Sequence, residues 1–167
     1  MRKGMLKMGT KVVCPGSFDP VTKGHERYIR LAARLFDEVE VLVMKNCNKK
    51  DVFTSEQRFE LARLAFEDVK NIKVVLFEGF LAGYCRDNSV DAIVKGVRNA
   101  ADFDYEMNLS EINRSVSGVE SIFLPSDPEV GFVSSTFVRE LIRYGRDCSP
   151  YVPENSLLYL KKINKKI

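Results

Sequence analysis

The stretch V-V-C-P-G-S-F-D-P-V-T-K-G-H-E-R-Y-I, residues 12–29, decides how the rest of the chain is read. It begins as a short apolar strand, stops at Pro15-Gly16 and enters a helical segment at Gly24-His25. A strand, a glycine-bearing loop and a helix N-terminus often form a phosphate site, because the helix presents unpaired N–H groups and a partial positive charge. The first helical turn carries His25, the only histidine in 167 residues. The stretch therefore predicts a phosphate site, although neither G-x-x-x-x-G-K-[ST] nor G-x-G-x-x-G occurs in it.

Outward from this stretch, apolar strands alternate with segments of helical periodicity. Strands are predicted at 11–14, 39–44, 72–77, 91–96 and 121–125. Helices are predicted from Gly24 to Asp37 with Tyr28 on the buried face, from Thr54 at the capping box T-S-E-Q (54–57), around 80–88, from near Asp102 to about Ser115, from Ser134 to Gly145 and after Pro153. The alternation predicts a doubly wound, Rossmann-like α/β fold with a parallel sheet and C-terminal helices. In such sheets the ligand lies beyond the carboxyl ends of the strands.

Length and composition indicate an ordinary soluble globule. At 19.0 kDa, with 45% hydrophobic and 29% charged residues, the chain is expected to be a single domain over 1–167, with 1–10 as a flexible leader. The net charge is only +3, and many of the cations lie near the two ends, so nucleic acid is not an expected partner. No apolar run is long enough to span a bilayer.

Four widely spaced cysteines favour a reducing compartment. Cys14, Cys47, Cys85 and Cys148 form no C-x-x-C pair, and no histidine partner lies nearby in sequence. Neither a zinc site nor a disulfide framework is predicted from this spacing. We therefore expect reduced thiols and a cytoplasmic location.

Polar side chains gather where the predicted strands end. They are Ser17, Thr22 and His25 after the first strand, Lys49-Lys50 after the second, Lys95-Gly96-Val97-Arg98 after the fourth, and Ser134-Ser135-Thr136 with Arg139 after the fifth. Hydroxyls and cations on one rim suit a polyphosphate, since phosphoryl transfer is catalysed mainly by positioning and charge stabilisation.

Read alone, each of these residues has a simpler explanation. Ser17 fits an ordinary turn, Lys49-Lys50 a solvated charge run, and Ser134-Ser135 a helix cap. His25 could be a satisfied histidine at a helix start. Arg139 could reach a phosphate or pair with a carboxylate.

Three motifs in order resemble one protein family. G-S-F-D-P-V-T-K-G-H (16–25) is similar to the T/H-x-G-H signature of the nucleotidyltransferase superfamily, in the form typical of bacterial phosphopantetheine adenylyltransferases. V-K-G-V-R-N-A-A-D-F-D-Y-E (94–106) resembles the pattern I-R-G-L-R-x-x-x-D-F-x-Y-E of that branch. G-F-V-S-S-T-F-V-R (131–139) resembles S-S-T/S-x-x-R. The resemblance implies five strands in the order 3-2-1-4-5.

The resemblance also implies roles for individual residues. Catalytic roles fall on His25, Ser17, Lys49 and Arg98, with the histidine contacting phosphate as an imidazolium donor and Lys50 as the alternative to Lys49. ATP binding falls on Ser17, Phe18, His25, Gly96, Val97, Arg98, Glu106, Val133, Ser134, Ser135 and Thr136. Binding of the acceptor substrate falls on Ser17, Lys49, Leu81 and Lys95.

Some positions in these motifs favour structural roles or depart from the family. Phe18 and Asp19 favour a core anchor and a loop brace, Leu81 could equally be core packing, and Asp102 is expected to be a helix N-cap. Lys95 stands where the family usually has arginine, and a lysine lacks the planar fork that binds phosphate through two parallel bonds.

The activity implied is transfer of the AMP moiety of ATP to 4′-phosphopantetheine by direct in-line attack, giving dephospho-coenzyme A and pyrophosphate. The resemblance further implies Mg²⁺ as cofactor, with no dedicated carboxylate cluster to hold it, a homohexamer, and feedback inhibition by coenzyme A. The alternatives are a related nucleotidyltransferase that uses nicotinamide mononucleotide or, with CTP, glycerol phosphate, and a non-catalytic nucleotide-binding module.

Overall fold

The fold is built around one five-stranded parallel sheet. In the computed structural model, which describes residues 9–45 and 51–164, the strands are β1 (Lys11–Gly16), β2 (Glu38–Met44), β3 (Ile72–Phe77), β4 (Ala92–Val97) and β5 (Glu120–Pro125). They pair in the order β3-β2-β1-β4-β5, all parallel. The doubly wound class and the strand order are therefore confirmed.

Helices connect the strands and cover both faces of the sheet. They are α1 (Lys23–Leu35), α2 (Ser55–Ala65), α3 (Leu81–Asp87), α4 (Ala100–Ser117), α5 (Ser135–Arg143) and α6 (Glu154–Ile163), with a 3₁₀ turn at Ser149–Tyr151. Side chains of successive strand residues point to opposite faces. Val12 and Cys14 thus join the larger core with α1, α2, α5 and α6, whereas Val13 joins a smaller core against α3.

The sheet opens between β1 and β4, the two central strands. β1 is paired with β2 along all six of its residues, but with β4 only at Val12 and Val13. Beyond Val13 the two strands separate at their carboxyl ends. This is the topological switch point, where doubly wound sheets bind ligands.

Several element boundaries differ from the sequence predictions. β1 continues through Pro15-Gly16, which had been expected to stop it, because both residues still pair with β2. The prediction that Asp102 caps α4 was wrong: the cap is Asn99, whose side chain accepts the Asp102 N–H at 2.9 Å, so the helix begins at Ala100. It also runs on to Ser117 and ends at Gly118, with φ +71°.

The first described residues are joined to the loop before β2. Most of the predicted leader lies outside the described residues, but its last residue, Thr10, donates from N and Oγ1 to Asp37 Oδ2 at 2.6 and 2.9 Å. α1 ends at Leu35, two residues before the predicted stop. Within residues 9–45 and 51–164, no helix has the length and apolar character needed to cross a membrane.

Candidate active site

A cavity of about 270 Å³ occupies the gap between the ends of β1 and β4. It is walled by the loop after β1, the first turn of α1, the end of β4 and the start of α5. Its lining includes the predicted residues Ser17, Phe18, His25, Lys95, Gly96, Arg98, Glu106, Val133, Ser134, Ser135 and Thr136. The three sequence motifs, separated by up to 120 residues, therefore meet at one place.

His25 is held at this cavity by the N-terminal cap of α1. Its Nδ1 accepts the backbone N–H of Thr22 at 3.1 Å, while the Thr22 side chain accepts the backbone N–H of His25 at 3.4 Å. This reciprocal arrangement is a capping box in which a histidine replaces the usual Glu or Gln. It fixes the ring against the start of α1.

The same hydrogen bond decides the form of the imidazole. Because a backbone N–H can only donate, Nδ1 must be the acceptor, and the proton of the neutral ring is then on Nε2. Burial lowers the pKa of His25 to about 4, with the positive charges of Arg98 and Lys95 as further causes. The expectation of an imidazolium was therefore wrong for the free protein: the ring is neutral at pH 7 and presents an Nε2–H donor.

Two cations from β4 and the following loop meet carboxylates of α4. Arg98 donates from Nε and Nη2 to Asp102 at 3.2 and 3.0 Å, and this pairing holds the pKa of Asp102 below its usual range. Lys95 Nζ lies 3.2 Å from Glu106 Oε2, and both side chains are less than one-fifth exposed. Each cation is thus held in position by a carboxylate in the first or second turn of α4.

The N-termini of α1 and α5 converge on the cavity. A Cβ on Gly24 would lie 3.2 Å from the carbonyl oxygen of Val133, so the two segments are in close contact. Ser134 caps α5 by accepting the N–H of Phe137 at 3.1 Å, and Ser135 Oγ donates to the carbonyl of Pro20 at 2.8 Å. Two sets of unpaired helix N–H groups therefore point toward one space.

Asp19 and Arg139 brace the loop after β1. The Asp19 carboxylate accepts the N–H groups of Val52 and Phe53, both at 2.9 Å. Arg139 Nη1 donates to the carbonyl of Asp19 at 2.6 Å, and its Nη2 donates to Thr136 Oγ1 at 3.0 Å. Asp19 is thus the predicted loop brace, and Arg139 makes protein contacts at the cavity wall.

Two residues of the motifs are fixed by packing. Phe18 is 1% exposed and meets the His25 ring edge-on at 5.1 Å between centroids, as expected of a core anchor. A Cβ on Gly96 would lie 2.5 Å from Cδ1 of Tyr28, so the glycine is required by a buried tyrosine ring. From the resemblance, Gly96 was expected to bind ATP, and that contact stays a prediction.

Three predicted residues are not among those lining the cavity. Val97 ends β4 and pairs with Pro125. Leu81 packs against the smaller core at the start of α3, next to Cys85. Lys49 lies outside the described residues, as does its alternative Lys50. Their predicted ligand contacts stay predictions.

Sequence reasoning missed four residues that form or support the cavity. Tyr28, Asp51 and Ser126 line it, and Arg58 lies fully buried behind it. Tyr28 had been assigned only to the buried face of α1. For Arg58 the available signal was its position on the otherwise apolar face of α2, one residue after the capping box Thr54–Gln57.

Comparisons with known proteins agree with this geometry. The Cytidylyltransferase-like family model matches residues 13–141. The phosphopantetheine adenylyltransferase of Thermobifida fusca is 44% identical over 143 residues, which cover 86% of this chain and 87% of that protein. The phosphopantetheine adenylyltransferase of Frankia casuarinae is 43% identical over 156 residues, which cover 91% of this chain and 96% of that protein.

A solved structure supports the fold. The lipopolysaccharide core biosynthesis protein of Thermoplasma volcanium superposes with a TM-score of 0.52 at 20% identity, over 71% of this chain and 97% of that one. At this identity the likeness concerns the architecture alone. The sequence relatives go further, because their identity extends over most of both chains. The chain therefore belongs to the cytidylyltransferase-like family and, within it, to the phosphopantetheine adenylyltransferases.

Proposed function

We propose that this protein is an ATP:pantetheine-4′-phosphate adenylyltransferase of coenzyme A biosynthesis. It transfers the AMP moiety of ATP to 4′-phosphopantetheine and releases dephospho-coenzyme A and pyrophosphate. The observation that carries the proposal is the cavity at the β1–β4 switch point, where the three family motifs meet. The 43% and 44% identity to proteins named phosphopantetheine adenylyltransferase supports the choice of acceptor.

The reaction needs positioning more than acid–base chemistry. A phosphate monoester has a second pKa of about 6 and is mostly dianionic at neutral pH, so it can attack the α-phosphorus without a general base. The attack is in line with the leaving pyrophosphate, and no covalent enzyme intermediate forms. A neutral His25 fits this chemistry, because a donor at Nε2 is useful and a proton acceptor is not required.

The four catalytic residues stabilise charge at the reacting phosphates. His25 donates from Nε2 to an α-phosphate oxygen as negative charge develops there. Arg98 exchanges its contact with Asp102 for phosphate oxygens, to which its fork can donate two parallel bonds. Ser17 lies between the two phosphates through its hydroxyl, and Lys49 holds the acceptor phosphate.

ATP is bound by the helix N-termini and the end of β4. The N–H groups and hydroxyls of Ser134, Ser135 and Thr136 bind the β- and γ-phosphates, with Val133 alongside. Gly96 and Val97 offer backbone groups to the nucleotide, and Glu106 binds the ribose. Phe18 supports this side of the cavity from below.

The acceptor is bound next to the ATP phosphates. Ser17, Lys49 and Lys95 hold its phosphate, and Leu81 contacts the pantetheine arm beyond the cavity. Lys95 reaches the phosphate as a point charge, and its separation from Glu106 then exceeds the present 3.2 Å.

Mg²⁺ enters this reaction as part of the ATP substrate. The carboxylates of Asp19, Asp51, Asp102 and Glu106 line the cavity, and each is already paired with a cation. No group of three or more His, Cys, Asp or Glu side chains within residues 9–45 and 51–164 could hold a metal ion. Because the protein residues do not form a metal cage, no step is assigned to a protein-bound ion.

The assigned reaction is tested by pyrophosphate release from Mg²⁺-ATP with three acceptors: 4′-phosphopantetheine, nicotinamide mononucleotide and glycerol 3-phosphate. Release with phosphopantetheine alone is the expected result. Release only with another acceptor would keep the nucleotidyl transfer and overturn the acceptor. No release with any of the three, in a protein that still binds ATP, would favour a binding module.

Assembly, regulation and location complete the proposal. Helix α4 has no buried residue, and Tyr105, Ile112 and Val116 form an exposed apolar stripe at helical spacing, which supports assembly into a homohexamer.

Coenzyme A carries the phosphopantetheine arm of the product, so it is expected to compete at the acceptor site. The buried free thiols of Cys14 and Cys85 suit a cytoplasmic enzyme. Light scattering and inhibition by coenzyme A test the first two statements.

A further inference from the structure

Arg58 is a fully buried arginine that touches the functional loops without entering the cavity. Its side chain is 0% exposed. Nη1 donates to the carbonyl of Ser17 at 2.5 Å and to the carbonyl of Met44 at 2.8 Å. Nη2 donates to Ser55 Oγ at 3.2 Å and lies 3.1 Å from Asp51 Oδ2.

These partners share a position in the fold. Ser17 lies in the loop after β1, directly before Phe18, whose φ of +47° is uncommon for a residue with a side chain. Met44 ends β2, and Asp51 is the first described residue after 46–50. One guanidinium thus joins the loop after β1 to both ends of the segment that carries Lys49.

Core stability does not account for a charge at this place. Burying an ion is costly, and an apolar residue of similar size in place of a buried ion pair is often neutral or stabilising. Arg58 has one ion-pair partner, and its buried Nε has no hydrogen-bond partner in the described part of the chain. An apolar replacement would remove the guanidinium from the two backbone carbonyls, from Ser55 Oγ and from Asp51.

We propose that Arg58 is a positioning residue for adenylyl transfer. It holds the backbone of Ser17 against the end of β2 and Asp51, and so sets the position of the Ser17 hydroxyl at the acceptor phosphate. This inference rests on the proposed function, because that function assigns Ser17 to the acceptor phosphate. ATP phosphates bind mainly at α5 and Arg98, which Arg58 does not touch.

The test compares Arg58→Lys and Asp51→Asn with the wild-type enzyme. A lysine keeps the charge but cannot donate to both carbonyls in the same geometry. We expect kcat/KM for phosphopantetheine to fall about a hundredfold in Arg58→Lys, because small misplacements of reacting groups cost this much. Asp51→Asn keeps the carbonyl contacts and is expected to lose about tenfold. The dissociation constant for ATP, measured by calorimetry, should change less than about threefold in both.

Ser156→Ala is the matched structural control. Ser156 is 0% exposed, and its Oγ donates to the carbonyl of Leu61 on α2, the helix that carries Arg58. This variant loosens the same helix at its contact with α6 and should lower the midpoint of thermal unfolding while leaving kcat/KM within about threefold. Equal losses in the control and in Arg58→Lys would reduce Arg58 to a structural residue.

The outcomes separate this inference from the proposed function. If Arg58→Lys does not fold, the Asp51→Asn result decides, since that substitution replaces a side chain that is 19% exposed and leaves the buried guanidinium in place. Unchanged kinetics in both folded variants would overturn the inference. A wild-type enzyme that releases no pyrophosphate with phosphopantetheine would instead overturn the proposed function.

Discussion

Substitution of His25 by asparagine isolates the role of the imidazole Nε2. In the free protein Nδ1 accepts the Thr22 N–H, and an asparagine Oδ1 can occupy the place of Nδ1 and keep that bond. What the variant lacks is the ring and its Nε2–H donor. The substitution therefore leaves the capping box in place and removes the group assigned to the transition state.

The expected effect on turnover follows from the loss of one preorganised donor. Removal of a single donor to a developing charge typically lowers kcat by 10²–10³, or about 3–4 kcal/mol. Binding of ATP should change little, because the helix N-termini and Arg98 hold its phosphates. Pyrophosphate release gives kcat, and calorimetry gives the ATP dissociation constant. A loss of ATP affinity equal to the loss of turnover would refute the assignment of His25 to the transition state.

The same variant tests the charge state of the ring through stability. The pKa of His25 is lowered from 6.5 to about 4, so between these values the unfolded chain binds more protons than the folded one. The contribution of the neutral ring is fully present above pH 6.5 and is lost as the pH falls toward 4. The lowering of the pKa corresponds to about 3 kcal/mol of unfolding free energy in total. About 2 kcal/mol of this is lost between about pH 7 and pH 5.

Urea unfolding of the wild type and of His25→Asn at these two pH values measures this term. The carboxylates titrate in both proteins, so their effect cancels in the difference. The wild type should lose about 2 kcal/mol more than the variant on acidification. An equal loss in the two proteins would mean that the ring titrates in the folded state as it does in the unfolded state, and the neutral donor would have to be abandoned.

Three further substitutions or treatments test other parts of the site. Lys95→Arg should lower KM for phosphopantetheine a few-fold, because a planar fork can hold the phosphate and Glu106 together; an unchanged or higher KM would contradict this. Gly96→Ala should lower the free energy of unfolding by about 1–3 kcal/mol, measured with urea, since its Cβ would lie 2.5 Å from a tyrosine ring. Gly83→Ala, with no atom within 4 Å, is its control and should not destabilise. Burial raises the pKa of the Cys14 thiol to about 12, so iodoacetamide labelling followed by peptide mass spectrometry should find this thiol unmodified in the native protein and modified in urea.

Local sequence signals predicted the parts of the fold that depend on neighbouring residues. The capping box Thr54–Gln57 and the serine cap of α5 could be predicted from the sequence, because in each the two hydrogen-bond partners lie three residues apart. The pattern also brought His25 and the α5 serines to one rim, since parallel strands place their following loops at the same edge. The strand order, in contrast, came from the family resemblance.

The misses are of two kinds: a competition between neighbouring cap residues, and contacts between residues far apart in sequence. Asp102 fits the composition of an N-cap, but a nearer competitor, Asn99, caps α4 and leaves Asp102 free to pair with Arg98. The requirement for Gly96 comes from Tyr28, 68 positions away, whose ring fills the place of a Cβ. Neither the pattern of α1 nor that of β4 records this contact. Segment boundaries follow the same rule, since β1 is extended by its pairing with β2.

The pairing of cations with carboxylates explains how this site can favour a polyphosphate. Arg98, Lys95 and Arg139 each lie within 4 Å of a carboxylate, so an incoming anion must compete with an existing partner. A ligand with a single weakly charged group would have to displace one carboxylate and would gain only one new contact in return. A triphosphate offers several oxygens at once and adds contacts to the N–H groups of two helix N-termini, where the caps Thr22 and Ser134 are neutral side chains. The neutral His25 completes this arrangement, because it adds a donor without another positive charge for a carboxylate to neutralise.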